Sequence, residues 1–198
     1  MAYAFADITF TPNVRAAQDR NGSGSYAKFL TDERSGGDVL GPDEAAFIHA
    51  RDGFYQATVS ETGWPYVQFR GGMPGFLRVL DAKTIAYADL RGNRQYLSLG
   101  NLSGNDRVSL ILMDYPNARR LKIWGRVRPI EPDHPDWINQ PADLIPSGAE
   151  RLMHIKVEAF DWNCPRHIPR RLTDVEAGGK IAALKDENTR LRAALAAQ

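Results

Sequence analysis

Seven short strand-like segments follow one another along most of this chain, and only one helix-like segment interrupts them. The first two predict a hairpin, because aromatic and β-branched residues at 54–60 and 66–70 flank the two-residue turn Thr62-Gly63. The other strands are predicted at 76–80, 84–88, 108–113, 121–130 and 153–162, and the short helix from about residue 96 to Gly100 or Gly104. This series favours an antiparallel barrel over a fold that alternates strands with helices.

The segments on either side of the strand-rich region differ from it. Residues 1–42 carry clusters of turn formers and are expected to form an arm that wraps on the body or on a partner. Residues 43–170 are expected to form the barrel domain, with a helix that begins near Pro42. Residues 171–198 are expected to form a C-terminal helix. The predicted fold class is mainly β with peripheral helices, built on six to seven antiparallel strands.

The C-terminal helix carries apolar residues at the spacing of a coiled coil. Ile181, Asn188 and Leu195 fall at a positions, and Leu184 and Leu191 at d positions. A single Asn at a, with Leu at d, favours a two-stranded coil in a fixed register. The alternative is a solvated, Ala-rich helical tail, because two heptads are marginal on their own.

Charge and cysteine content narrow the classes of function. The 198 residues carry a net charge of +1 with scattered Lys and Arg, so the basic face of a duplex nucleic-acid binder is missing. No membrane span or signal-peptide pattern is found, and we expect a soluble, cytoplasmic protein. Cys164 is the only cysteine and the four histidines lack ligand spacing, so no metal site is expected.

The most informative segment joins the fourth strand to the short helix and reads Tyr87-Ala88-Asp89-Leu90-Arg91-Gly92-Asn93-Arg94-Gln95-Tyr96. In such a turn, free backbone N–H groups and the positive end of a helix dipole converge on one point. Arg94 adds a guanidinium that can grip a phosphate through two hydrogen bonds. The segment therefore predicts a phosphate-binding turn. A solvated turn with surface arginines is the alternative, because basic turns are common.

The order of these features resembles the pyridoxamine 5′-phosphate oxidase-like family of FMN-binding split barrels. The similarity covers about residues 43 to 165, and the turn at 92–96 is its most specific element. In that family, a basic residue near the second strand and a Ser-Arg-Lys-like turn hold the phosphate and ribityl chain of FMN. A basic or amide-bearing position before a later strand reaches the flavin from the other subunit. The resemblance implies a homodimeric split barrel with FMN at the subunit interface.

The resemblance also assigns cofactor-binding roles to individual residues. Arg70 matches the basic residue near the second strand, the run Asn93-Arg94-Gln95 matches the turn, and Arg120 and Lys122 lie near the position that reaches across subunits. Gln95 replaces the lysine of the turn, which removes a positive charge and predicts weaker FMN binding. For Trp162, packing on the barrel core is the alternative role. The predicted cofactor-binding residues are Gln68, Phe69, Arg70, Gly71, Ala88, Asp89, Asn93, Arg94, Gln95, Arg120, Lys122, Trp162 and Arg166.

The resemblance implies an FMN-dependent oxidoreductase that acts on a small-molecule substrate, with NAD(P)H or O₂ as its redox partner. The isoalloxazine ring performs the redox step in such an enzyme, and no catalytic side chain is predicted. The oxidase activity itself is not carried over, because residues 160–167 hold the ingredients of the family's basic, Trp-containing segment in a different order. The alternative function is a non-catalytic binding or sensing module that holds flavin, or haem through an axial His, Cys, Met or Tyr.

Overall fold

The computed structural model describes residues 3–30, 35–162 and 164–197 of the chain. They form two compact units, one of Met1–Met113 with Arg120–Cys164 and one of Asp114–Arg119 with Pro165–Gln198. The helices are α1 (Tyr3–Thr9), α2 (Pro12–Arg20), α3 (Pro42–His49), α4 (Leu97–Gly104) and α5 (Asp174–Ala196). The strands are β1 (Gly53–Val59), β2 (Pro65–Gly71), β3 (Arg78–Asp81), β4 (Thr84–Leu90), β5 (Arg107–Asp114), β6 (Arg119–Ile130) and β7 (Ala149–Trp162).

The seven strands form one sheet in the order β2-β1-β5-β6-β7-β4-β3. Strands β1 and β2 pair antiparallel around a turn in which Gly63 has a φ of 87°, a conformation that glycine adopts without steric cost. The pairs β1/β5, β3/β4, β4/β7 and β6/β7 are antiparallel as well. The predicted hairpin and the predicted mainly β fold class are therefore confirmed.

The sheet curls, so that strands far apart in its order meet. The Tyr87 hydroxyl on β4 donates a hydrogen bond to Oε1 of Gln56 on β1 at 2.9 Å, although three strands separate β1 from β4 in the sheet. The rings of Phe54 and Tyr87 also meet edge-on, with centroids 5.3 Å apart. The enclosed space is filled by an apolar core that includes Phe54, Leu77, Leu110, Leu112, Leu121, Ile123, Met153 and Ile155.

A bulge bends the β6/β7 pair near the middle of β6. The register with β7 shifts between Trp124 and Gly125. A Cβ at Gly125 would lie 2.5 Å from the backbone oxygen of Lys156, closer than real Cβ atoms come to such an atom. Glycine is needed at this position because the two backbones approach closely.

The structure differs from the sequence prediction at the start of β3. That strand was predicted from residue 76 but begins at Arg78. Gly75 has a φ of 90°, and the ring of Phe76 stacks on that of Phe54 at 5.8 Å. The chain therefore turns through Pro74 and Gly75 to bury an aromatic ring before it enters the strand.

The C-terminal helix α5 is present as predicted. Thr173 and Glu176 form its capping box, in which the backbone N–H of Glu176 donates to Oγ1 of Thr173 at 3.2 Å and the backbone N–H of Thr173 donates to a Glu176 carboxylate oxygen at 2.8 Å. Its predicted a and d residues are exposed, with Ile181 at 52% and Leu191 at 58%. The coiled coil and the solvated tail both remain predictions. Among the described residues, no helix combines the length and hydropathy needed to cross a bilayer.

Candidate functional site

A cavity of about 310 Å³ opens where β2, the end of β4 and the start of α4 meet. We call it the polar cavity. Six of the predicted cofactor-binding residues line it: Gln68, Arg70, Asp89, Asn93, Arg94 and Gln95. Tyr66, Tyr96 and the first turn of α4 complete its wall. The structure therefore brings the predicted phosphate-binding turn and the second strand together around one space.

Two residues of the turn adopt the left-handed backbone conformation. The φ angle is 64° at Arg94 and 52° at Tyr96, whereas Gly92, the glycine of the turn, does not have a positive φ. Between them, the backbone N–H of Gln95 donates to Oδ1 of Asn93 at 3.2 Å. A left-handed residue other than glycine costs about 1–2 kcal/mol, and such strain clusters at ligand sites.

The first turn of α4 lies against the polar cavity. Leu97, Ser98 and Leu99 line it, and no described side chain caps the helix. The backbone N–H groups of a first helical turn have no partner within the helix, so they can donate to a ligand. Arg94 is exposed nearby, and within the described residues its guanidinium has no carboxylate partner. Together with the helix dipole, these donors favour an anion such as phosphate.

Strand β2 forms the facing wall. Ser98 Oγ donates to Oε1 of Gln68 at 2.9 Å, which ties the helix to the strand. Arg70 forms an ion pair with Asp89 in which Nη1 lies 2.6 Å from Oδ1. Its Nε is buried and has no hydrogen-bond partner among the described residues. Arg70 thus lies on the cavity wall with one of its N–H groups already bound to a carboxylate, and its cofactor-binding role remains a prediction.

The ring of Tyr87 packs against the guanidinium of Arg70. The Arg70 guanidinium lies over the Tyr87 ring, 5.6 Å from its centroid. Burial raises the pKa of Tyr87 to about 12, despite the opposing effect of the Arg70 charge. The hydroxyl therefore keeps its proton at neutral pH and donates to Gln56. Tyr87 is a fixed support in this site and not a general base.

A second, larger cavity of about 580 Å³ lies beside the first, and we call it the apolar cavity. The predicted residues Phe69, Gly71 and Ala88 line it, together with the glycine-rich connection at 71–75 and the loop around Leu144 and Pro146. Arg70 and Leu90 line both cavities. The two spaces are therefore neighbours that share a wall and differ in polarity.

Four predicted residues line neither cavity among the described contacts. Trp162 donates from Nε1 to Glu44 at 2.7 Å and packs edge-on against Phe47, as its core-packing alternative expected. Arg120 and Lys122 alternate with buried residues of β6 and therefore project from the outer face of the sheet. Arg166 is exposed in the second unit. Their cofactor-binding roles remain predictions.

Sequence reasoning missed several residues of the site, including four with polar side chains around the polar cavity. Tyr66, Tyr96 and Ser98 line the polar cavity, and Arg151 on β7 binds Asp89 through Nη1 at 2.8 Å. The period-2 alternation of β2 could have identified Tyr66, since it shares a face with Gln68 and Arg70. No local signal pointed to Arg151, because it contacts the site through a pairing of strands far apart in the chain.

Similar solved structures provide one comparison. HupZ from Group A Streptococcus is 14% identical and aligns over 68% of this chain and 100% of its own, with a TM-score of 0.51. The haem storage protein HutZ from Vibrio cholerae is 18% identical over 63% and 94% of the two chains, with a TM-score of 0.47. An FMN-binding protein from Syntrophomonas wolfei is 9% identical over 74% and 97%, with a TM-score of 0.46. At 14% identity, the similarity to HupZ supports the fold alone.

The sequence itself was also compared with protein families and with curated proteins. No curated protein matches it. The family described as "Pyridoxamine 5'-phosphate oxidase" matches residues 40–161, which include all seven strands except the last residue of β7 and both walls of the polar cavity. This match covers more than half of the chain. The chain therefore belongs to the pyridoxamine 5′-phosphate oxidase family.

Proposed function

We propose that this chain binds FMN, with the phosphate in the polar cavity and the flat ring in the apolar cavity, and acts as an FMN-dependent oxidoreductase on a small molecule. One observation carries the proposal. Two cavities of opposite character share Arg70 and Leu90 in their walls, and nine of the residues predicted to bind the cofactor line them. A ligand with one anionic end and one flat apolar end matches this arrangement.

The chemistry of the donors fits a phosphate. Among the described residues the Arg94 guanidinium has no carboxylate partner, α4 offers the N–H groups of its first turn, and the Arg70 side chain lines the same cavity. The negative charge of Asp89 is balanced by ion pairs with Arg70 and Arg151. Because Gln95 carries no charge, we expect neutral donors to supply much of the affinity. When bound, FMN would supply the electron-transfer chemistry, while the chain would bind it, orient it and limit the access of water.

A homodimer is part of this proposal. On the outer face of β1 and β2, Tyr55 pairs with Phe69, and Ala57 pairs with Val67. The side chains of Tyr55, Phe69 and Val67 are 39%, 58% and 59% exposed. Exposed apolar patches of this kind mark interaction surfaces. Arg120 projects from the same face of the sheet, and its Nε is buried without a hydrogen-bond partner among the described residues. Because Phe69 also lines the apolar cavity, a second copy on this face would lie beside that cavity.

Ligand titration of the purified protein, freed of bound small molecules, tests the proposal. We expect FMN to bind at least about tenfold more tightly than riboflavin, since a charged phosphate contact contributes about 1.5–3 kcal/mol. Anaerobic NADH or NADPH should then bleach the flavin absorbance, and air should restore it. Bound flavin that neither nicotinamide reduces would support the binding module instead. A Soret band with haemin and no affinity for flavin would overturn the assignment.

A further inference from the structure

Asp89 joins three strands of the sheet through its two carboxylate oxygens. Oδ1 accepts from Nη1 of Arg70 on β2 at 2.6 Å, and Oδ2 accepts from Nη1 of Arg151 on β7 at 2.8 Å. Arg151 is itself held by Glu131, which accepts from its Nε at 3.0 Å. Asp89 is only 6% exposed, so its two ion pairs are largely withdrawn from solvent, whereas Glu131 is half exposed.

The chain of ion pairs fixes the direction of the Arg70 guanidinium. A guanidinium is planar and carries its five N–H donors in a rigid fork, so holding one donor orients the others. Asp89 holds Nη1, and Tyr87 lies beneath the plane at 5.6 Å. The buried Nε is left without a partner among the described residues, on a side chain that lines both cavities. The Nη donors that Asp89 does not hold belong to this same side chain, so a ligand between the cavities can accept from them.

A carboxylate in the wall of an anion site needs an explanation, because it repels the ligand. Burial lowers the pKa of Arg151, but its hydrogen bonds to Asp89 and Glu131 outweigh this effect and leave the pKa raised. Arg151 therefore stays charged beside Asp89 and offsets its repulsion. The remaining effect of Asp89 on a ligand is exerted through the orientation of Arg70.

We propose that Asp89 and Arg151 are positioning residues, which rests on the proposed FMN site: they hold Arg70 so that its free donors face the ligand where the two cavities join. Two other roles for the Asp89 carboxylate predict a different effect of its removal on FMN affinity. A carboxylate that only repels phosphate would weaken binding, so its removal would tighten it. An ion pair that only stabilises the fold would leave the affinity of the folded protein unchanged.

The test measures dissociation constants for FMN and riboflavin with the wild type, Asp89→Asn and Arg70→Met, and with the double variant. We expect Asp89→Asn to weaken FMN binding about five- to thirtyfold, and to have no further effect when Arg70 is already Met, since Asp89 acts through Arg70. Asp106→Asn is the matched control, because it removes a carboxylate that pairs with Arg126 at 2.8 Å and lines neither cavity.

Unchanged or tighter FMN binding by Asp89→Asn would overturn the inference, as would a full additional effect in the double variant. If Asp89→Asn does not fold, as judged by its thermal unfolding, Arg151→Lys provides the second test. A lysine has a single ammonium group and cannot bind Asp89 and Glu131 together with the geometry of the planar guanidinium. It should weaken FMN binding in the same direction. A wild type that shows no preference for FMN over riboflavin would instead refute the proposed function itself, independently of these variants.

Discussion

Replacing Arg94 by glycine should weaken FMN binding and stabilise the protein at the same time. Arg94 is exposed, lines the polar cavity and has a φ of 64°. Arg94→Ala removes the guanidinium but keeps the Cβ, and so it keeps the backbone strain. Arg94→Gly removes both. The two variants therefore separate the role of the side chain in binding from the cost of holding it in this turn.

The expected magnitudes follow from these two properties. Loss of a charged contact to phosphate costs about 1.5–3 kcal/mol, and we expect the lower half of this range, about ten- to fortyfold in Kd, because the side chain is exposed. Relief of the left-handed strain gains about 1–2 kcal/mol, from which the entropy of glycine in the unfolded chain subtracts about 0.5–1 kcal/mol. The net gain of about 1 kcal/mol corresponds to a rise of about 2–4 °C in Tm for a chain of this size.

Calorimetric titration with FMN and thermal unfolding of the ligand-free proteins measure both effects. Arg91→Ala is the control for affinity, since Arg91 belongs to the same turn but lines neither cavity. Ala118→Gly is the control for strain, since Ala118 has a φ of 50° outside the site and should gain stability without a change in affinity. Equal FMN affinity in the wild type and both Arg94 variants would refute the assignment of the polar cavity to phosphate.

The remaining predictions concern the fold. Gly125→Ala should lower the free energy of unfolding by about 1–3 kcal/mol, because its Cβ would meet the backbone of Lys156 at 2.5 Å. Gly100→Ala, in open space on α4, should instead raise the free energy of unfolding by about 0.5–1 kcal/mol. Denaturant unfolding measures both variants, and equal effects would contradict the close approach at Gly125. The pKa of Tyr87 rises from 10.0 to about 12 in the folded protein, so the unfolded state releases its proton first. Stability should therefore fall by about 2 kcal/mol between pH 10 and 12, a loss that Tyr87→Phe should not share in pH-dependent melts. Deletion of 176–198 should leave a dimer on size-exclusion chromatography if the outer face of the sheet is the main interface, and a monomer would assign that role to the helix.

Local patterns in the sequence were sufficient to predict the strands and the turn. The Thr62-Gly63 turn between two alternating segments predicted the first hairpin, and the run from Tyr87 to Tyr96 predicted a turn that leads into α4. Both features depend on residues close together in the chain. The third strand was misplaced by two residues, because the apolar pair Phe76 and Leu77 belongs to the core and not to β3.

The contacts that complete the site could not be predicted in this way. Arg70 and Asp89 are 19 residues apart, and Asp89 and Arg151 are 62 apart. Their meeting depends on the curl of the sheet, which no local pattern encodes. The left-handed backbone at Arg94 and Tyr96 was hidden as well, because a glycine two residues earlier made a more obvious candidate. The sequence therefore predicted the donors but not the ion pairs that orient them.

A crystal structure of the protein with bound FMN would show where the phosphate lies. We expect a phosphate oxygen within about 2.7–3.2 Å of the Arg94 guanidinium and of at least one backbone N–H in the first turn of α4, with the ring against the apolar cavity. A phosphate in solvent, or one bound away from the turn at 92–98, would contradict this expectation.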